Sequence, residues 1–397
     1  MPIGYWESEH LLAPVDLTVV GGGIVGMSTA LHFRRLHPEA SIRLLERDSV
    51  GEGGTTRNAG FACFGGPGEW LDDIKQLGME SWRELVAMRI GGLCDLVELL
   101  GADALELEWC GGWELFADDE EGRQRASAVE RMLPDMEQSL TALFHSGLGH
   151  IHPRAGDVPV LVPDPERATA MGAHWAVHMP LEGMLHTGKM VEAFHHALHD
   201  ARVQRIHGFE VETLERTEGL SGFPWTVSDG RRTLASRTIA VCTNGFARQL
   251  LPDIAVERVP NRVLVVEPEK MPPVGTYHAE DGYLYFRPMP AGRILFGGGR
   301  QFGLVWPDDP EMEGGIREEW DRRLLESAEH WLGPIRRVTH RWTGWLGVGA
   351  DRMPLIGSTE KGLFHAVRMG GMGVAVGCGI GRRLAQRISP TTDGAAD

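Results

Sequence analysis

At 397 residues the chain is long enough for two ordinary hydrophobic cores and for the burial of a large cofactor. Its formal net charge of −16, with no offsetting Lys/Arg block, works against nucleic-acid phosphates and anionic membrane surfaces, so neither is expected as a partner. Hydrophobic residues at 42% and charged residues at 24% exclude a disordered or fibrous class, and no apolar run approaches the roughly 20 residues that span a bilayer.

Residues 1–16 carry Glu7, Glu9 and Asp16 without an apolar run, so no signal peptide is expected and the cytoplasm is the expected compartment. Five cysteines (Cys63, Cys94, Cys110, Cys242, Cys378) are odd in number and widely spaced, without a C-x-x-C pair. Reduced thiols are expected rather than disulfides, and no metal site. The 52 glycines point to many tight turns and close backbone approaches.

Residues 17–20, Leu-Thr-Val-Val, form a short β-branched run that predicts a buried parallel strand. Gly21-Gly22-Gly23-Ile24-Val25-Gly26 follows at once, and Ala30, Leu31, Phe33 and Leu36 then recur at helical spacing. In this strand-turn-helix context G-x-G-x-x-G is a dinucleotide fingerprint. Gly21 permits the tight turn, Gly23 the approach of a pyrophosphate, and Gly26 close packing of helix on strand. A second strand at 41–45 leads to Glu46, at the spacing of the acid that grips a ribose diol, and the adjoining Arg47 belongs to the candidate cofactor set. NAD and FAD both satisfy this signature. The next stretch, 51–61, holds Thr55, Thr56, Arg57, Asn58, Ala59 and Gly60. It fits a loop that offers N–H groups and hydroxyls to a pyrophosphate, and equally a glycine-rich surface loop.

Beyond this point, helical periodicity runs through 82–100, and the charged run 118–125 reads as a solvated helix face. Residues 153–165 are turn-rich and 189–198 again helical; His195 and His196 lie on what reads as a surface helix and receive no chemical role. Strand patterns at 262–266, 283–287 and 294–297, with Pro288-Met289-Pro290-Ala291-Gly292 as a turn, predict a hairpin over 283–298. Alternation places Tyr283 and Tyr285 on the same side as Arg287. Arg287 suits a clamp on a substrate carboxylate, or a structural ion pair at a sheet edge. Trp342 and Trp345 flank Thr343-Gly344 and either wall an apolar pocket or simply pack. Arg262 and His340 are weaker candidates, and the tail 390–397 is expected to fray.

Several of these segments, in this order, resemble the D-amino-acid oxidase and sarcosine oxidase superfamily, which includes glycine oxidase. The loop with Arg57-Asn58 matches 54–60, and Val211 matches an adenine-side strand. Thr243-Asn244-Gly245 matches the "A-T-N-G" turn, and 351–357 the "D-x-x-P-x-I-G" strand. Gly370, Gly371, Met372, Gly373 and Val374 match the turn before the C-terminal helix, and Gly344 lies where the family's flavin edge falls. The resemblance implies an α/β fold with a Rossmann-like, glutathione-reductase-type FAD domain assembled from 1–73, 150–224 and 341–397. A second, substrate domain from 74–149 and 225–340 is built on a mixed or antiparallel sheet that roofs the flavin, with substrate between them.

The implied activity is oxidation of the C–N bond of an amino acid or N-substituted amino acid, by hydride transfer to flavin N5 and hydrolysis of the imine. Arg287, Tyr285, Tyr283 and Trp345 are the substrate-side candidates. The cysteine that tethers flavin in the sarcosine oxidase branch is missing near Gly344, which implies non-covalent FAD. The oxygen-assisting lysine of that branch aligns with Leu295, which leaves O2 or another electron acceptor open; the oligomeric state stays open too. A 2-hydroxy-acid dehydrogenase, which needs a histidine base that no roof position is expected to supply, and a flavin-carrying subunit of a larger complex are the alternatives. A disulfide reductase is excluded by the missing cysteine pair.

Overall fold

The computed structural model describes residues 4–217, 222–306 and 313–389, so the tail expected to fray lies outside the described residues. The chain divides into two units, Met1–Thr56 with Met190–Arg258 and Leu346–Asp397, and Arg57–Lys189 with Val259–Trp345. The expected boundaries at 73, 149, 224 and 340 differ from the division at 56, 189, 258 and 345, the two inner ones by 40 and 34 residues. Two interactions account for most of the difference. Residues 57–64 bond to the second unit's own sheet and loops, and strand Trp175–Met179 pairs with Gly112–Phe116.

In the first unit, strand Val15–Val20 lies between Ile42–Glu46 and Thr233–Val241, parallel to both. Leu17, Val19, Ile239 and Val241 are fully buried, which is why these strands read as continuous apolar runs rather than alternating ones. Gln204–His207 extends the sheet on one side, and Leu363–Val367 with Leu355–Glu360 on the other. Helix Ile24–Leu36 packs on the C-terminal helix Gly373–Ile388 through small residues. Ser28 Oγ donates to the Cys378 carbonyl at 2.8 Å, and a β-carbon on Gly381 would come within 2.6 Å of the Ser28 side chain.

The second unit holds an eight-stranded mixed sheet in the order Ile335–Val348, Glu257–Pro268, Arg293–Gly298, Leu284–Met289, Thr276–Ala279, Gly112–Phe116, Trp175–Met179, Val162–Pro163. The expected hairpin forms with Arg287 opposite Leu295. Strand alternation separates two faces. Leu264, Tyr277, Leu284, Phe286 and Phe296 make one face an apolar core, covered by Trp320, Leu324 and Ala328 of helix Glu313–Leu332. Glu114, Thr276, His278, Tyr285 and Arg287, at the alternate positions, belong to the other. The charged run near 120 opens helix Glu120–Leu148, where the Asp119 carboxylate caps the Gly122 N–H at 2.7 Å, a contact that contributes about 1 kcal/mol. All five cysteines are free, and among the described residues no helix is long and apolar enough to cross a membrane.

Candidate functional site

The fingerprint turn has the geometry its glycines predict. Gly21 sits at φ +107°, a conformation that side chains disfavour, and a β-carbon there would lie 2.8 Å from the Cys242 carbonyl. A methyl on Gly26 would overlap the Gly21 carbonyl oxygen, so this glycine sets the approach of helix to turn. Gly23 caps the helix with its backbone, and the first intrahelical bond runs from Met27 N–H to the Gly23 carbonyl at 2.9 Å. The N–H groups of Ile24, Val25 and Gly26 thus have no intrahelical acceptor. That of Ile24 donates to Thr55 Oγ1 at 2.9 Å.

Gly22, Gly23, Glu46, Gly51, Gly53, Thr55 and Thr56 line an open cleft of about 350 Å³, its mouth included, together with Val50, Val191, His195 and His207. Glu46 is held in place by Gly22 N–H at 2.8 Å and Asp48 N–H at 3.1 Å. Thr56 Oγ1 donates to the Gly51 carbonyl at 2.6 Å, which folds the loop around the cleft. Arg47 is not among the lining residues: its guanidinium lies over the Phe246 ring, 4.1 Å from the centroid. Val211 precedes strand Thr213–Arg216 and packs against the core around Trp225 rather than lining the cleft.

Asn244 acts on the glycine-rich turn. Its backbone is left-handed at φ +47°, and its Oδ1 accepts from the N–H groups of Arg368 and Met369 at 3.1 and 3.2 Å. Gly245 is required because a β-carbon would meet the Leu346 carbonyl at 2.5 Å. Asp351, from the D-x-x-P-x-I-G segment, pairs with Arg368 at 2.7 Å. Gly370 and Gly371 take φ +62° and +91°, and Met372 then caps the helix that starts at Gly373 and Val374. Thr243 Oγ1 is buried without a partner among the described residues.

In the second unit, segment 57–60 is braced at each residue. Arg57 donates to the Thr343 carbonyl at 2.9 Å, beside Gly344, and its own carbonyl accepts from Trp342 Nε1 at 3.0 Å. Asn58 Oδ1 accepts from Gly60 N–H and Thr187 Oγ1. The Ala59 carbonyl accepts from Arg287 Nε at 2.6 Å, and Gly60 is left-handed where a side chain would strike the Leu185 carbonyl. Arg262, buried, is held bidentately by Asp321 at 2.7 and 3.0 Å and reaches Thr343 Oγ1.

Arg287 is only 8% exposed, and its remaining protein contact is Nη2 to the Leu185 carbonyl at 3.2 Å. No carboxylate lies within ion-pair distance of it among the described residues, so the ion pair considered from sequence is not formed, and three of its five N–H bonds have no protein acceptor. Burial lowers its pKa, against the weaker opposing effects of Cys110 and Glu108. Tyr285 Oη accepts from Asn261 Nδ2 at 2.6 Å, which leaves the phenol proton available, and burial pushes its pKa up to about 12. Tyr283 does not join this pair. It lies in the turn before the strand, with the Arg300 guanidinium 5.3 Å from its ring centroid. Trp345 stands edge-to-face with Trp306 at 5.5 Å, and His340 is exposed.

The expectation that no histidine lies on this sheet face is overturned. His278 is directly opposite Tyr285, and its ring lies 5.0 Å from that of Phe61. Burial lowers its pKa to about 4, and its Nδ1 is buried without a partner. Tyr277 and Ala279 on either side are core residues, and that short alternation was the available sequence signal. His195 and His207 at the cleft were likewise unassigned. Two buried carboxyls hold the loop that follows: Glu182 accepts from Phe64 N–H at 2.8 Å and Glu114 from Gly68 N–H at 2.7 Å. Burial raises both to about 8.

Comparison with known proteins is consistent along the whole chain. A family model described as FAD dependent oxidoreductase matches residues 16–387. Gamma-glutamylputrescine oxidoreductase of Escherichia coli (strain K12) is 23% identical over 406 aligned positions, covering 94% of this chain and 83% of that one. The structure of iminodiacetate oxidase from Chelativorans sp. BNC1 superposes with a TM-score of 0.68 at 17% identity, over 95% of this chain and 97% of that one. That of L-proline dehydrogenase from P. horikoshii gives 0.65 at 15% identity, over 96% and 94%. The cleft fits the adenosine diphosphate part of an FAD: Gly22, Gly23, Gly51 and Gly53 line it without side chains, Glu46 stands at the tip of the second strand, and the first N–H groups of helix Ile24–Leu36 have no intrahelical acceptor.

Proposed function

Because the chain belongs to the family of FAD-dependent oxidoreductases, and that cofactor is a two-electron acceptor, we propose that it oxidises the C–N bond of an amino acid or N-substituted amino acid. The observation that carries this reading is Arg287, a buried cation bonded to two carbonyls and to no carboxylate, whose remaining N–H bonds suit a substrate carboxylate. The named substrates of the curated and structural relatives, an amine, an iminodiacid and an imino acid, point the same way.

On the polar sheet face the neighbours of Arg287 are neutral at pH 7: a phenol held by Asn261 and an uncharged imidazole. Such surroundings favour a substrate amine that has lost its proton, the form able to release its α-hydrogen with both electrons. His278 Nδ1, unpartnered, is suited to accept a hydrogen bond from that amine, and the Tyr285 hydroxyl to donate one. Trp345 and Trp306 supply an apolar wall for the rest of the substrate. The oxidised product is an imine, which water hydrolyses. Gly21, Gly23, Gly26, Glu46, Thr55 and Thr56 would hold the adenosine diphosphate part of FAD, and the Asn244-supported turn at 370–373 the helix N-terminus that favours added negative charge.

A second reading, oxidation of a 2-hydroxy acid, is favoured by the place of His278 on this sheet face, where its unpartnered Nδ1 can accept a hydrogen bond from a hydroxyl. One experiment tests both. The purified yellow protein is mixed anaerobically with D-, L- and N-methyl amino acids and with 2-hydroxy acids while the flavin band is followed. Bleaching by an amine supports the first reading and bleaching by hydroxy acids alone replaces it. A band untouched by either panel refutes both in favour of a flavin-carrying subunit. Admitting air then sorts O2 from another acceptor.

A further inference from the structure

Two side chains in the cofactor cleft lie outside the glycine fingerprint. His195, from helix Thr187–Asp200, and His207, the last residue of strand Gln204–His207, line the same cleft as Gly22, Gly23, Glu46 and Thr55. Their rings stand 6.0 Å apart, edge to face. His207 Nδ1 donates to the Asp48 carbonyl at 3.3 Å, and Arg205 donates to the His195 carbonyl at 3.2 Å, so the strand and the helix that carry these rings are tied to their surroundings.

The charge of that wall is poorly matched to a pyrophosphate. Each phosphate of the cofactor carries one negative charge at neutral pH, yet the ionised side chain among the described lining residues is the Glu46 carboxylate, with no Lys or Arg. Arg47 is turned onto Phe246. The helix N-terminus offers partial positive charge, but its Ile24 N–H is committed to Thr55. The two imidazoles are the lining side chains able to gain a positive charge near pH 7.

We propose that His195 and His207 form the cationic side of the pyrophosphate site, and that binding of FAD draws a proton onto this pair. The inference rests on the family's cofactor and on this cleft, and not on the proposed substrate. Burial, then Arg205, His207 and His196, lower the pKa of His195 while no anion is bound. Glu46 lines the same cleft, and Glu192 and His199 flank His195 one turn either way on the helix; an arriving dianion acts in the opposite sense. Binding of the dianion therefore favours a proton on an imidazole at this wall. Affinity gained this way is complete at low pH and is lost as pH rises through the bound-state value, up to tenfold per pH unit for each proton taken up.

The test uses the full-length protein purified with FAD. It is diluted at constant ionic strength from about pH 6 to about pH 8, and released cofactor is read from its recovered fluorescence. The FAD dissociation constant is expected to rise about tenfold across this range. The H195Q/H207Q double variant should show no slope and should hold FAD about tenfold more weakly at the acid end, with unchanged circular dichroism. ADP as competitor should follow the wild-type slope, and adenosine, which has no phosphate, should not. A flat wild-type profile, a slope that survives the double substitution, or an adenosine slope equal to that of ADP overturns the proposal. Should the double variant emerge without flavin, calorimetry of ADP binding to stripped wild-type protein in two buffers of different protonation enthalpy counts the proton directly; an uptake near one supports the proposal and zero overturns it.

Discussion

Replacing Arg287 by methionine keeps the aliphatic stem and removes the guanidinium. The lost contacts are those to the Ala59 and Leu185 carbonyls at 2.6 and 3.2 Å, in a side chain 8% exposed. Charge-assisted hydrogen bonds contribute about 1.5–3 kcal/mol each, a gross loss of about 3–6 kcal/mol. Relief of the buried charge returns part of this, leaving a net destabilisation of about 2–4 kcal/mol, or a fall in Tm of roughly 5–12 °C. Substrate binding is a separate quantity. Two N–H bonds to a carboxylate are together worth about 2–4 kcal/mol net, so half-saturation by an amino acid should rise roughly 30- to 1,000-fold. The assay is anaerobic bleaching of the flavin by the best amino-acid substrate and by the amine that lacks its carboxylate. The amino acid should weaken by that factor and the amine by less than about threefold, within the scatter of such interactions. An equal loss for both, or for neither, would make Arg287 a brace for Ala59 and Leu185 and refute the clamp.

Three further substitutions probe the frame. Gly26→Ala places a methyl against the Gly21 carbonyl and should yield a protein that loses FAD on gel filtration; a fully yellow G26A protein would mean the turn adjusts without cost. Glu182 is held neutral in the folded protein, with its carboxyl raised from 4.5 to about 8. Its contribution to stability is complete below about pH 4.5 and is lost as pH rises through about 8. The melting temperature of the wild type should therefore fall on going from mildly acid to mildly alkaline buffer, and Glu182→Gln should flatten that fall by on the order of 1–3 kcal/mol. Parallel melting curves for the two proteins would rule this out. Asn244→Ala forfeits two hydrogen bonds to the 368–369 backbone and puts alanine at a left-handed φ, a loss of about 2–4 kcal/mol, whereas Asn244→Asp keeps the acceptor and should stay within about 1 kcal/mol of wild type. Equal melting temperatures for N244A and N244D would remove the acceptor role.

Where a constraint is local, the residues announce it. Gly21, Gly23 and Gly26 are demanded by contacts within one turn and its flanking strand, and the 284–298 hairpin by its own turn and alternation. Partners distant in sequence were not legible. Arg287 stood out as a candidate, but its acceptors lie 228 and 102 residues away, and nothing near it in sequence marks Ala59 or Leu185. His195 shares a helix whose apolar stripe, Met190, Phe194 and Leu198, predicts the buried face correctly. A cleft at the edge of that stripe has no periodicity of its own, so the histidine read as surface. His278 was obscured because Thr276–Ala279 is four residues long, too short for alternation to separate strand from turn. Arg47 and Val211 show the converse: motif position named them, and packing against Phe246 and the Trp225 core took them elsewhere.

The seam between helix Ile24–Leu36 and helix Gly373–Ile388 bears on how the protein is made. Ser28 and the Cys378 carbonyl it bonds are separated by 350 residues. At synthesis rates of about 5–20 residues per second, the nucleotide-binding helix leaves the ribosome roughly 20–70 s before its partner exists. During that interval Ile24 and Ser28, which the finished protein covers with Gly377 and Gly381, are open to solvent and to chaperones. Completion of the first unit waits until residues 373–388 have been made, and a chain stalled before residue 373 leaves this seam uncovered and open to degradation.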